Sequence, residues 1–198
     1  DVSFQAVGTC VVNANQAGSS TYAAASQVQQ SFAVGKGTPI VSWSNPADIT
    51  YGTPLSAIQL NATASVPGTF TYNPVLNSVL GTGAGQVLSV DFIPTDSANY
   101  LNVNGTTVTI NVLTANPILS VTNSPVVYNG SPQAAIVVGS VPGTVSNILY
   151  NGSINQPKNP GTYSITADFA PTDSVNYNNL TAASAGDFII NSKDPDYP

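Results

Sequence analysis

The chain has 198 residues, of which 42% are hydrophobic, enough apolar material to form real cores in small domains, so disorder is not the expected state. Only 6% of residues are charged, three lysines against nine aspartates, for a net charge of −6. The lack of His removes the usual proton shuttle and commonest metal ligand. The lack of Arg removes bidentate phosphate recognition, and three lysines cannot supply the basic footprint that nucleic acid or an anionic membrane surface requires.

Glu, Arg and Met, all good helix formers, are missing, while Thr, Val, Ser, Asn and Gly abound. That bias favours strands and turns. A single cysteine, Cys10, excludes a disulfide framework within the chain. No apolar run approaches the length of a membrane-spanning helix. The opening Asp1-Val2-Ser3-Phe4 carries no basic region followed by an apolar core, which reads as a mature product or an excerpt.

In chain order, residues 1–36 read as the back half of a β module. Strands are expected at Val2-Ser3-Phe4, at Thr9 to Asn15 with Cys10, Val12 and Ala14 on one face, and along Gln30, Phe32 and Val34. Gly35-Lys36-Gly37-Thr38-Pro39 reads as a short linker ending in proline. A complete module follows over 37–113. It opens at Ile40 to Trp43, turns at Tyr51-Gly52-Thr53-Pro54 and Val66-Pro67-Gly68, and has strands at Leu60 to Ala64, Thr69 to Tyr72 and Gln86 to Ile93. Leu88, Val90 and Phe92 point inward by strict alternation, as do Val108, Ile110 and Val112 in the closing strand.

After the linker Leu113 to Pro117, residues 114–192 repeat the plan. Tyr128-Asn129-Gly130-Ser131-Pro132 answers Tyr51 to Pro54, Val141-Pro142-Gly143-Thr144 answers Val66 to Thr69, and Ile165, Ala167 and Phe169 answer Leu88, Val90 and Phe92. Residues 193–198 read as a linker or tail. The plainest repeat marker is Phe92-Ile93-Pro94-Thr95-Asp96-Ser97-Ala98-Asn99-Tyr100, which returns as Phe169-Ala170-Pro171-Thr172-Asp173-Ser174-Val175-Asn176-Tyr177. A worn copy ends at Tyr22, and the three tyrosines stand 78 and 77 residues apart, the long fixed period of stacked modules. About seven short strands per module predict an all-β fold of tandem immunoglobulin-like β-sandwiches, the first incomplete, with a small barrel as the runner-up.

These motifs resemble the Ig-like repeats of large bacterial surface proteins, and Tyr128 to Pro132 with Pro160-Gly161-Thr162-Tyr163 is similar to the related modules called MBG domains. The resemblance implies sandwiches in tandem, on the cell surface or secreted, that serve as stalks or spacers of adhesins. It brings no catalytic residue and no cofactor.

The Pro-Thr-Asp-x-x-Asn-Tyr stretch has two readings. Asp91 and Asp96, or Asp168 and Asp173, could ligate calcium between modules, because calcium takes six to eight oxygens. The structural reading is a corner: Pro94 and Pro171 preset φ, Asp96 and Asp173 cap the turn, and Tyr22, Tyr100 and Tyr177 pack their rings and return their hydroxyls to the backbone. The first copy favours the corner, since it keeps Tyr22 but has Gly18 in place of Asp96 and Asn13 in place of Asp91. Glycoside hydrolysis would need two carboxyls in one cleft, whereas these acids sit mostly at repeated turn positions. Cys10 aligns with Leu88 and Ile165 and is expected in a core. Lys36, Lys158 and Lys193 lie in linkers or loops, away from any intramolecular crosslink, and Trp43 is expected in core or interface packing. Asn61, Asn104, Asn129, Asn151 and Asn179 match the glycosylation pattern, as chance allows in an Asn- and Thr-rich chain.

The expected function is architectural: an extracellular rod segment without enzymatic activity. Its partners would be neighbouring modules or copies of itself, the latter by strand addition at the incomplete first module. The alternative is an adhesin module that binds a host or surface glycan or protein through loops at one end of a sandwich, which requires an aromatic patch peculiar to one module.

Overall fold

In the computed structural model, which describes residues 3–193, the chain is all-β. Fourteen strands follow in order. β1 (Gly8–Ala14) and β2 (Val28–Val34) belong to the first repeat. The second repeat holds β3 (Val41–Ser42), β4 (Ile49–Thr50), β5 (Thr63–Ala64), β6 (Gly68–Asn73), β7 (Gly83–Pro94) and β8 (Val103–Leu113). The third holds β9 (Leu119–Val121), β10 (Val126–Val127), β11 (Val137–Gly139), β12 (Gly143–Tyr150), β13 (Gly161–Pro171) and β14 (Leu180–Asn191). Each complete repeat therefore has six strands rather than about seven. Among the described residues, no helix is long and apolar enough to cross a membrane.

The second and third repeats share one topology. A four-stranded sheet runs β4-β8-β7-β6 in one and β10-β14-β13-β12 in the other, and a two-stranded sheet pairs β3 with β5 or β9 with β11. The short outer strand of each larger sheet runs parallel to its neighbour, with Ile49 opposite Val112 and Val126 opposite Ile190. The described residues form two compact units. One comprises 3–47, 55–78 and 87–110; the other comprises 48–54, 79–86 and 111–193. Each unit thus contains one join between successive repeats.

Period-two alternation produces the long strands. On β7, Leu88, Val90, Phe92 and Pro94 are buried, whereas Val87 and Ile93 are exposed. On β13, Ile165, Ala167, Phe169 and Pro171 are buried. In the third repeat these side chains meet Leu119 and Val137 from the smaller sheet and Phe188 and Ile190 from β14 in a single core, so two layers close over one apolar interior. In the first unit, Phe70 lies 4.9 Å from Phe92 between ring centroids, and Trp43 packs edge-on against Tyr72 at 5.3 Å. Trp43 also donates its indole N–H to the Gln59 carbonyl at 3.0 Å.

The first repeat departs from expectation. Residues 3 and 4 form no strand, and Val2 lies outside the described residues, as does the expected tail from residue 194 onward. Among the described residues, β1 and β2 pair only with each other, Cys10 facing Phe32. Cys10 is half-buried rather than in a core, and Phe32 is 41% exposed. Among the described residues no second sheet covers these two strands, although the Phe4 ring packs edge-on against Phe32 at 5.4 Å.

The glycine that opens β6 and β12 is set by close approach. A methyl group on Gly143 would lie 2.4 Å from Phe169 Cζ, and one on Gly68 would lie 2.4 Å from Phe92 Cζ. Both rings are almost fully buried and cannot withdraw. We expect Gly143→Ala to lower the unfolding free energy of the third repeat by about 1–3 kcal/mol through overpacking, measured by urea denaturation; an unchanged midpoint would show that the ring yields freely.

Candidate functional site: the repeated corners

The corner begins where β7 or β13 ends. In the second repeat the Asp96 carboxylate holds Asn99 at two points: the Asn99 backbone N–H donates to Oδ1 at 3.2 Å, and Asn99 Nδ2 donates to Oδ2 at 2.8 Å. In the third repeat Asn176 donates to Asp173 in the same way, at 3.1 and 2.9 Å. The backbone N–H groups of Tyr100 and Tyr177 close the turn on the carbonyls of Asp96 and Asp173. The neighbouring Val-Pro-Gly turn is stitched alongside, Thr95 N–H to Pro67 O and Thr172 N–H to Pro142 O, both 2.9 Å. Between turn and corner each repeat has a similar shallow hollow of roughly 350 and 340 Å³, lined by Val66, Pro67, Thr95, Asp96 and Tyr100 or by Val141, Pro142, Thr172, Asp173 and Tyr177.

The corner also receives the chain that enters its repeat. Gly37 donates to the Asn99 carbonyl and accepts from Leu101 N–H, both 2.9 Å; Ala115 does the same with Asn176 and Asn178, again at 2.9 Å. These are short parallel bridges, Gly37 with Tyr100 and Ala115 with Tyr177. Lys36 adds a donor at 2.6 Å to the Ser97 carbonyl, which places this linker lysine against the corner.

Contacts with the preceding repeat complete the picture. Val7 N–H donates to Asn99 Oδ1 at 2.8 Å. Thr82 N–H donates to Asn176 Oδ1 at 3.0 Å, and the Thr82 hydroxyl reaches the Val175 carbonyl at 2.9 Å. The Tyr177 ring packs edge-on against Tyr51 at 5.4 Å, and the Tyr100 ring lies against Gly37, where a methyl group would be 3.3 Å from its edge. The corner tyrosines are half-buried at these joins. The tyrosine hydroxyls that do meet backbone belong to others: Tyr72 accepts from Ala62 N–H and Tyr150 from Ala135 N–H, each at 2.9 Å, and Tyr163 donates to the Asn159 carbonyl at 2.8 Å.

Asp91 and Asp168 do different work, on the strands themselves. Asp168, on β13, accepts from Ala182 N–H at 2.7 Å and from Asn147 Nδ2 at 2.5 Å. Ala182 and Asn147 both have positive φ, 48° and 50°, beside register shifts in β14 and β12, so one carboxylate secures irregular backbone on both neighbouring strands. Asp91 accepts from Gly105 N–H at 2.7 Å in β8. The four aspartates named as calcium candidates are thus each engaged by donors of their own repeat. Among the described residues, no group of three or more His, Cys, Asp or Glu side chains is placed to hold a metal ion.

Residues 118–194, which span all six strands of the third repeat, match the family model of the MBG domain. The third repeat is similar to MBG domains over these residues. No curated protein matches the chain. This MBG-like repeat carries the Asp173–Asn176 grip and the Tyr177 contact, and the second repeat reproduces both the strand order and the grip.

The first copy is built otherwise. A side chain at Gly18 would place its Cβ 2.5 Å from the Tyr22 carbonyl oxygen, so no aspartate fits that backbone. Ser19 Oγ instead accepts from Thr21 and Tyr22 N–H, both 3.2 Å, and the Tyr22 ring is 75% exposed.

The carboxylate hydrogen bonds depress three pKa values below the ordinary 3.8: Asp96 chiefly through the Asn99 side chain, Asp173 through the Asn176 side chain, and Asp168 through Ala182 N–H and then Asn147. A depressed folded-state pKa contributes stability that is present above the unfolded value and is lost as pH falls through the folded one. The melting temperature should therefore drop as pH falls below about 3.8, and Asp168→Asn should flatten that drop. An unaltered acid limb in the Asp168→Asn variant would remove this carboxylate from the account.

Proposed function

We propose that this chain is a structural, non-catalytic repeat segment of an extracellular bacterial surface protein or fibre, a stalk or spacer. The observation that carries the reading is the repetition of one join: at Gly37–Tyr100 and again at Ala115–Tyr177, the entering chain bridges the corner and the corner Asn holds the preceding repeat. A spacer needs successive units joined in the same way with little freedom, and short linkers pinned by backbone hydrogen bonds supply that. The MBG domain match supports a repeat of a larger surface protein. The hollows beside the corners recur in both complete repeats with nearly equal volume, which favours a shared architectural role over a binding patch peculiar to one module. NMR relaxation of backbone ¹⁵N tests the reading. The second and third repeats should share one tumbling time; independent tumbling would overturn the spacer function.

The finer form of this proposal is assembly with a neighbouring copy by strand addition at the first repeat. Among the described residues, β1 and β2 have only each other as sheet partners, and Val12, Val28 and Phe32 are exposed along them. Unpaired strand edges next to apolar side chains are the features that strand addition uses. Sedimentation velocity should show concentration-dependent assembly that Phe32→Asp abolishes. A monomer at every concentration would leave the first repeat without this role.

A further inference from the structure

The corner has an arrangement more specific than a tight turn, and it rests on the spacer reading above. An ionised carboxylate can only accept hydrogen bonds. Asp96 and Asp173 each take the Nδ2 of the Asn three residues on, together with that residue's backbone N–H. The amide is thereby fixed in one of its two orientations, with Oδ1 turned away from the aspartate. That oxygen meets a backbone N–H of the preceding repeat, Val7 in one join and Thr82 in the other. The reversed amide would set NH₂ against N–H and leave the aspartate facing an oxygen.

The two donors occupy one structural position. Val7 directly precedes Gly8, the first residue of β1, and Thr82 directly precedes Gly83, the first residue of β7. Gly8 and Gly83 have φ of 155° and 158°, and Gly161, which opens β13, also has 158°. This backbone shape, open only to glycine, marks the same site in all three repeats.

We propose that the Asp–Asn pair of each corner is a binding site for a backbone N–H, the one just before the glycine that opens the long strand of the preceding repeat; at the second join the Thr82 hydroxyl also donates to Asn176 Oδ1, at 3.2 Å. Asp96 and Asp173 are positioning residues that aim the Asn carbonyl. In the MBG-like repeat the residue at the donor position is Pro160, which has no N–H. The third repeat receives a clasp through Asn176 but cannot offer the donor, so the clasp has a direction that ends there.

Amide hydrogen exchange on the full chain tests this. Val7 and Thr82 N–H should be protected. Asn176→Ala should speed Thr82 exchange by about five- to tenfold, as expected for loss of one hydrogen bond, with Ile165 in β13 unaffected. Asp173→Ala should also speed Thr82 exchange, though Oδ1 is still present, and should shift upfield the Asn176 Nδ2 proton that donates to the carboxylate. Thr82→Ala, which keeps the N–H, should stay protected. Unchanged Thr82 exchange in Asn176→Ala would overturn the clasp, while a common tumbling time in that variant would leave the spacer reading standing; independent tumbling of the wild-type repeats would overturn the spacer reading instead.

Discussion

The linker residue that hydrogen-bonds on both sides with the corner is the constraint on which the joins depend. Gly37 gives its N–H to Asn99 and takes one from Leu101; Ala115 does the same with Asn176 and Asn178. An isolated peptide segment between two domains would satisfy its backbone with water and sample many angles. A segment that satisfies it on the next domain's corner becomes part of that domain. The buried prolines at Pro39 and Pro117, two residues further on in each repeat, fix φ where the chain turns into its first strand.

Low charge makes that design workable. With nine aspartates and three lysines, few side chains can form competing ion pairs, and the carboxylates within the repeats are assigned to backbone and amide donors. Each complete repeat has one on the strand before the corner, Asp91 or Asp168, which secures irregular sheet backbone, and one at the corner, Asp96 or Asp173, which orients an amide. At Asp96, Asp168 and Asp173 the accepted hydrogen bonds lower the carboxyl pKa, so the geometry there is insensitive to ordinary changes in pH. Asn, with a donor and an acceptor on one planar group, is the side chain that can bind the aspartate with one end and the preceding repeat with the other.

Much of the fold was legible because period-two alternation is a strong signal. Leu88, Val90 and Phe92, and Ile165, Ala167 and Phe169, are buried as their spacing implied. Two of the two-residue strands, β4 and β10, gave no such signal, because two residues cannot show a period. The corner was legible as a repeat marker and its Asp as a turn cap, but the destination of the Asn side chain was not. Its partners are 92 and 94 residues away in the chain, and nothing in the residues 4–7 or 79–82 advertises a backbone donor. The Gly-opened strands were the available clue: a glycine as the first residue of β1, β7 and β13 marks equivalent positions through matching backbone angles, which the sequence does not display. The first repeat misled for a different reason. Cys10 and Phe32 fall at core positions by alignment, but a core position is buried only when a second layer covers it.

The first copy of the corner shows what the aspartate adds. Gly18 closes its backbone so tightly that no side chain fits, and Ser19 supplies the turn's acceptor through a hydroxyl. A hydroxyl caps a turn adequately. It cannot orient an amide, because Thr21 stands where Asn99 and Asn176 stand and has no carbonyl to present. Turn formation and inter-repeat binding are therefore separable properties of the same stretch. The tyrosine serves whichever surface lies next to it, exposed at Tyr22, against glycine at Tyr100 and against Tyr51 at Tyr177. The Asp–Asn pair is what turns a strand corner into a receptor for its neighbour.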